Sequence, residues 1–154
     1  MILNRQRRLR VPVAGLERFL ARACRAVRVA PESFTVCFVS NSQISRWNRA
    51  YRHKPGPTDV LSFRANGNQG RPRTRALNDA ITDGGGAGHS YLGDVAIAPA
   101  VARRNAARFG RTFDDEVRIL ILHGMLHLMG YDHETDNGQM DRREQALRRE
   151  LGLA

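Results

Sequence analysis

Hydrophobic residues recur along the chain at two periods, and these periods predict its secondary structure. Alternating or continuous runs of β-branched and aromatic residues are typical of strands. The strand-like segments are residues 2–11, 33–40, 58–63 and 91–98. Apolar positions three or four residues apart are typical of amphipathic helices. Such stretches begin near Pro12, Asn41, Pro99, Thr112 and Asp136. Strands first alternate with helices and then give way to helices alone. This order predicts one layered domain of the α/β or α+β class over residues 1–154, with about four strands and about five helices.

Short polar residues stand where three of these helices are predicted to begin. Asn41 and Ser42 are predicted caps of the second helix, because their side chains can accept hydrogen bonds from its first backbone N–H groups. Thr112 is the predicted cap of the fourth helix. Asp136 and Gln139 are spaced as a capping box for the last one.

Residues 64–90 show neither period. The stretch is polar and rich in Gly, Asn and Arg, and it includes three successive glycines, residues 84–86. A segment of this length without its own secondary structure is typical of a functional loop or an insertion. The sequence therefore predicts a mobile loop over residues 64–90.

The high positive charge indicates a domain that binds nucleic acid. The formal net charge is +10 and the isoelectric point is near 11.2, with Lys54 as the only lysine. Arginine forks match phosphate oxygens in pairs and stack on bases, so the excess favours a polyanionic partner, nucleic acid before membrane. The alternative is that the arginine bias reflects genome composition and some of these side chains are only solvated.

Two cysteines, Cys24 and Cys37, lie in apolar segments and are not spaced as a redox or metal pair. They are interpreted as small core residues, which fits a reducing compartment. The arginine-rich start has no apolar signal-peptide region, and no apolar run is long enough to span a bilayer. We expect a cytoplasmic protein that does not contact membranes.

The candidate chemistry lies in residues 123–133, which hold three of the five histidines. His123 and His127 are four apart, so on a helix they share one face. Gly130 carries no Cβ and can end that helix in a left-handed turn, which returns His133 to the same point. The flanking residues are apolar on all sides, and burying three imidazoles without a partner would be costly. The spacing therefore predicts one metal ion bound by His123, His127 and His133.

Three protein ligands leave a tetrahedral ion one open position, which is typical of catalytic zinc sites. Three neutral ligands also leave Zn²⁺ its full charge, so it can acidify a water or attract an anion. The spacing is that of the metzincin peptidases, except that Gly124 stands where they have the glutamate general base. A peptidase is therefore the weaker interpretation, and a strongly basic protein better suits a phosphodiester substrate.

Three segments of the chain closely resemble the YbeY-type endoribonucleases, the bacterial rRNA maturation factors. The first is H-G-M-L-H-L-M-G-Y-D-H at residues 123–133. The second is the pair W-N-R-A-Y-R (47–52) and P-T-D-V-L-S-F (57–63), and the third is L-G-D-V-A-I (92–97). Two departures from the family pattern stand out, because Arg64 replaces a usual proline and the connection that follows is longer.

The resemblance implies a small mixed sheet with helices and a metzincin-like layout of the metal site. It implies Zn²⁺ on the three histidines and a catalytic role for Arg52. It also implies cleavage of single-stranded RNA in late 16S rRNA 3′-end maturation and ribosome quality control. The expected partners are rRNA, the 30S or 70S ribosome, and ribosomal or GTPase proteins.

Several points stay open on the sequence. Three histidines also suit other divalent transition metals, such as Ni²⁺ or Cu²⁺. Asp132 either orients a histidine or serves only a turn, and Asp59 and Asp94 either line a cleft or cap turns. No residue stands out as a general base, so attack by water and by the 2′-hydroxyl of the substrate are both compatible with the sequence. The alternatives to a nuclease are a metzincin-like zinc peptidase and a non-catalytic ribosome-binding factor with structural zinc.

Overall fold

The computed structural model describes residues 1–65 and 91–153. The four strands of this part are β1 (Ile2–Asn4), β2 (Phe34–Phe38), β3 (Val60–Arg64) and β4 (Gly93–Ile97). The five α-helices of this part are α1 (Val13–Ala26), α2 (Asn41–Arg52), α3 (Pro99–Phe109), α4 (Phe113–Leu128) and α5 (Gln139–Glu150). A short 3-10 turn, Pro31–Ser33, precedes β2.

The strands form one mixed sheet in the order β1-β2-β4-β3. β1 and β4 both run parallel to β2, whereas β3 runs antiparallel to β4 and forms an edge of the sheet. A parallel pair needs a crossover connection, and α1 supplies it between β1 and β2. The predicted mixed sheet of about four strands with about five helices is thereby confirmed.

Helices cover both faces of the sheet, so every residue of β2 and β4 is buried. Successive side chains of a strand point to opposite faces. Val36 and Phe38 accordingly belong to the core shared with α1, α4 and α5, whereas Cys37 belongs to the core shared with α2. On α2 the side chains of Ile44 and Trp47 are buried against that second face, as the helical spacing predicts.

The first strand is shorter than predicted, because it ends at Asn4 and not near Val11. The reason lies in Gln6, whose side chain is buried and bonds to the backbone of Leu9. Its Oε1 accepts from the Leu9 N–H at 2.9 Å and its Nε2 donates to the Leu9 carbonyl at 2.8 Å. These bonds close a turn soon after β1, and Asn4 already pairs with Phe38, the last residue of β2.

The caps of two helices are partly as predicted. Thr112 caps α4, since its Oγ1 accepts from the N–H of Asp115 at 3.1 Å. The cap of α2 is Ser40, one residue before the predicted Asn41. The Ser40 Oγ accepts from the N–H of Gln43 at 3.2 Å, and its extended backbone is the conformation that a cap requires.

The predicted capping box of α5 is wrong in its register. Gly138 occupies the N-cap position, and Asp136 reaches over it to accept from the N–H of Met140 at 2.9 Å and of Gly138 at 2.8 Å. The bond from Met140 is the main cause that lowers the pKa of Asp136 below its ordinary value. The Gln139 side chain accepts from the N–H of Asn137 instead.

The predicted loop includes two residues that the structure describes, Arg64 and Ala65. Arg64 still belongs to β3, and the N–H of Ala65 donates to the carbonyl of Leu92 at 3.0 Å. The prediction for residues 66–90 lies outside the described residues.

Both cysteines are buried free thiols. Burial raises the pKa of each to about 11, so the interpretation of Cys24 and Cys37 as core residues is confirmed. In the part of the chain that the structure describes, none of the helices combines the length and the apolar composition needed to cross a bilayer.

Candidate metal centre and its cleft

Helix α4 and the turn after it bring three histidines together. His123 and His127 lie one turn apart near the end of α4, which stops at Leu128. Gly130 follows with φ +102°, where a side chain would be strained. The chain then reverses and returns His133, so that one ring nitrogen from each histidine lies within 4.8 Å of the others.

Two of the imidazoles are oriented by acceptors on their outer nitrogen. His123 Nδ1 lies 3.1 Å from Glu144 Oε2, and His127 Nδ1 lies 3.2 Å from the carbonyl oxygen of Tyr131. A carboxylate and a carbonyl can only accept, so in a neutral ring the hydrogen is assigned to Nδ1. Each Nε2 then presents its lone pair to the common centre.

The two Nε2 atoms lie only 3.2 Å apart. Two lone pairs at this distance repel each other, and a cation between them turns the repulsion into attraction. For tetrahedral zinc with bonds of about 2.0–2.1 Å, two ligand nitrogens lie about 3.3–3.4 Å apart. The spacing and the tautomers of His123 and His127 therefore fit a shared transition-metal ion.

The protonation state of His127 also suits metal binding. Burial is the main cause that lowers its pKa below 6.5, and positive charge on His123 and His133 would lower it further. The hydrogen bond to the carbonyl of Tyr131 opposes this shift only in part. His127 is therefore neutral at neutral pH, which is the form that binds a metal.

Glu144 of α5 connects this centre to the rest of the fold. It is 9% exposed, and its second oxygen accepts from Arg148 Nη2 at 3.0 Å. Burial would raise the pKa of Glu144, but the hydrogen bond and charge of His123, together with Arg148, hold it below its ordinary value. Glu144 is thus a carboxylate acceptor for His123 Nδ1, and it fixes the direction of that ring.

The three histidines line one wall of a cleft of about 650 Å³. The same cleft is lined by β3 and the residues before it, and by Arg52 at the end of α2. The helix stops there because His53 adopts a left-handed conformation with φ 56°. Asn48 holds the loop that follows, since its Nδ2 donates to the carbonyl of Gly56 at 3.0 Å. Arg52 and the histidines, far apart in sequence, therefore share one cavity.

Comparison with known proteins identifies the family. A family model described as endoribonuclease YbeY matches residues 1–152. The chain belongs to the endoribonuclease YbeY family. A curated relative named endoribonuclease YbeY from Koribacter versatilis is 37% identical over 153 residues, covering 99% of this chain and 86% of its own. The protein of that name from Geobacillus thermodenitrificans is 40% identical over 119 residues, covering 76% and 71%. The resemblance seen in the sequence is thus confirmed.

A solved structure agrees on the fold. The solution structure of TM1509 from Thermotoga maritima superposes with a TM-score of 0.58 at 23% identity, covering 98% of this chain and 89% of that one. At this identity the likeness concerns the fold alone.

Gly124 shows why this YbeY-family chain lacks the metzincin glutamate. A Cβ at this position would lie 2.6 Å from Val95 Cγ1 and 3.2 Å from Ser62 Oγ. Val95 is fully buried, so its side chain cannot move away easily. The residue after the first histidine thus packs against the sheet, and a larger side chain cannot be accommodated without displacing β3 or β4.

The structure shows where the three aspartates whose roles the sequence did not decide are located. Asp132 serves the turn, since its Oδ1 accepts from the N–H of Glu134 at 3.0 Å, and it also lines the cleft. Asp59 lines the cleft as well and accepts from Asn105 Nδ2 at 3.2 Å. Asp94 is 1% exposed and pairs with the hydroxyl of a neighbouring tyrosine, so it has a structural role in the buried strand.

Sequence reasoning missed Glu144, although one signal was present. Glu144 and Arg148 have the i,i+4 spacing of a helical ion pair, but nothing local indicates that the pair lies against His123. Only the packing of α5 on α4 brings the carboxylate to the histidine.

Replacing Glu144 by glutamine is expected to weaken metal binding about 10- to 100-fold, because partners of this kind orient a ligand and raise its basicity. Glutamine keeps the size of the side chain but not its charge. The measurement is competition with a chromogenic chelator, and the control is Glu150→Gln on the exposed end of the same helix. Equal metal affinity of the Glu144 variant and the control would rule out this orienting role.

Proposed function

We propose that the protein is a metal-dependent endoribonuclease that cuts single-stranded RNA. The observation that carries the proposal is that three convergent imidazoles and Arg52 share one cleft, in a chain whose curated relatives bear the name endoribonuclease YbeY. The net charge of +10 supports it, because RNA is a polyanion.

His123, His127 and His133 would hold the ion through the ring nitrogens that face each other. We propose zinc, since three histidines with one open position are typical of catalytic zinc sites, although the same donors suit other divalent transition metals. When bound, the ion supplies a Lewis acid that stabilises negative charge on a phosphoryl oxygen. Glu144 and the carbonyl of Tyr131 keep the first two rings in the ligating orientation.

Arg52, which lines the same cleft, would also bind the scissile phosphate. Its side chain is exposed and makes no hydrogen bond or ion pair with other residues of the described part. The guanidinium donors can therefore turn to the equatorial oxygens, where charge grows in the transition state. Attack by water and attack by the adjacent 2′-hydroxyl are both compatible with this arrangement.

We further propose that the substrate is ribosomal RNA, at the stage of late 16S rRNA 3′-end maturation and ribosome quality control. The partners would be the 30S or 70S ribosome, with ribosomal or GTPase proteins. The location would be the cytoplasm, which fits two free thiols.

The test is a cleavage assay on one preparation whose metal content has been measured. We expect cleavage of a single-stranded RNA, little cleavage of the same sequence in a duplex, loss of activity with a chelator, and recovery when zinc is returned. Proteolysis of an unstructured protein by the loaded enzyme would support the peptidase alternative instead. RNA binding without any cut by fully loaded protein would support a ribosome-binding factor.

A further inference from the structure

Arg64 lies in the same cleft as the histidines, on its β3 side. In the family pattern a proline is usual here, so the resemblance assigns this residue no role. A proline could neither donate a side-chain hydrogen bond nor carry a charge. Arg64 thus brings a positive charge to a position where the family pattern usually has none.

The alternation of β3 points Arg64 towards the metal helix. Ser62 and Arg64 are two apart and share one face of the strand. Ser62 Oγ lies 3.3 Å from the carbonyl oxygen of Gly124, and Arg64 Nη2 lies 3.1 Å from that of His127. Both contacts are made to backbone carbonyls of α4, the second of them to His127 itself. Arg64 is therefore anchored beside a predicted metal ligand.

This anchor uses only a small part of what the guanidinium can donate. An arginine side chain has five N–H donors, and the bond to the His127 carbonyl is the only side-chain hydrogen bond of Arg64 with the described residues. The ion pairs within the described ranges involve Arg111, His123 and Arg148, and Arg64 forms none of them. The side chain is exposed, so its positive charge is not neutralised by a carboxylate of the described part.

We propose that Arg64 is a second phosphate-binding arginine, which holds a phosphate of the RNA next to the one that is cut. The inference rests on the proposed nuclease function and deepens it. The hydrogen bond to His127 holds the side chain in place before the substrate arrives, which reduces the entropy lost on binding. A forked guanidinium with unused donors is the group that recognises phosphate oxygens in pairs. Arg52 and Arg64 thus hold neighbouring phosphates of one strand.

The second phosphate site can be tested with RNA substrates that contain different numbers of phosphates. With RNA of three or more nucleotides, Arg64→Gln is expected to raise KM about tenfold and to leave kcat within about twofold, because one charge-assisted phosphate contact is lost. With a dinucleotide, which has one phosphodiester, the same variant should match the wild type. The salt dependence of binding to the longer RNA should fall by about 0.7 in its logarithmic slope, the value for one phosphate contact on a single strand.

Two further variants complete the design. Arg103→Gln removes an exposed arginine of α3 that does not line the cleft, and it should leave the KM of both substrates unchanged. Arg64→Lys keeps the charge but not the fork, so it should retain the salt slope while losing part of the affinity.

The outcomes separate this inference from the proposed function. A wild-type protein that cuts no RNA refutes the nuclease itself. A cutting wild type whose Arg64→Gln variant has an unchanged KM on long RNA refutes the second phosphate site. A variant with lower metal content, or with a KM raised equally on the dinucleotide, also refutes it, because Arg64 would then act through His127 or on the scissile phosphate.

Discussion

Replacing His127 by alanine is expected to remove tight metal binding and to reduce RNA cleavage by at least about 10³-fold. His127 supplies one of the three ring nitrogens within 4.8 Å of each other, and its Nε2 lies 3.2 Å from that of His123. Without it only two protein ligands remain, which is too few for a stable site of this kind. Alanine is a good helix former, so α4 should persist.

The predicted loss of metal binding can be measured as a metal-dependent shift in the melting temperature. A ligand that binds only the native state at a hundredfold excess over its Kd stabilises it by about 2.7 kcal/mol. We expect zinc to raise the melting temperature of the wild type and not that of His127→Ala. A variant that still gains this stabilisation and still cuts RNA would show that His127 is not a ligand.

His53→Asn is the matched control for the loss of a histidine. His53 is exposed and does not line the cleft. Its backbone is left-handed with φ 56°, and asparagine adopts this conformation more readily than alanine does. The control should bind zinc and cleave RNA like the wild type.

The histidine site could be predicted because its determinants are local. An i,i+4 pair on a helix and a glycine that reverses the chain are both visible within residues 123–133, and the structure brings the three rings together. The strands β2 and β4 could also be predicted, since β2 is rich in β-branched and aromatic residues and β4 ends in the apolar residues Val95, Ala96 and Ile97.

What could not be predicted depends on contacts between distant segments. No local pattern shows that β3 pairs antiparallel to β4 at an edge of the sheet. This pairing is what sets Ser62 and Arg64 against α4. The early end of β1 likewise depends on one side chain, Gln6, that closes a turn soon after the strand.

Gly124 has one feature that the sequence predicts and one that it does not. The sequence shows that the metzincin glutamate is missing, which weakens the peptidase interpretation. It does not show the reason, which is that a side chain at this position would collide with the buried side chain of Val95. The absence of a base there follows from how the helix packs on the sheet, so any general base must come from elsewhere.

Replacing Arg52 by alanine is expected to lower kcat for RNA cleavage about 10²- to 10³-fold, the usual effect of removing one donor to a developing oxyanion. Metal content should not change, because Arg52 lies at the end of α2 and the predicted ligands lie on and after α4. The free energy of unfolding should stay within about 0.5 kcal/mol of the wild type, since the side chain is exposed.

The contrast with Arg49→Ala makes this test specific to the cleft. Arg49 is exposed on the same helix but does not line the cavity, so its loss should leave kcat unchanged. Arg52→Lys should restore part of the rate, because a lysine supplies the charge without the paired donors. If Arg52→Ala folds, keeps its metal and cuts RNA at the wild-type rate, Arg52 has no part in catalysis. The proposed roles also predict a difference from Arg64. Loss of Arg52, at the phosphate that would be cut, should lower kcat, whereas loss of Arg64, at a phosphate whose charge would not change in the reaction, should raise KM.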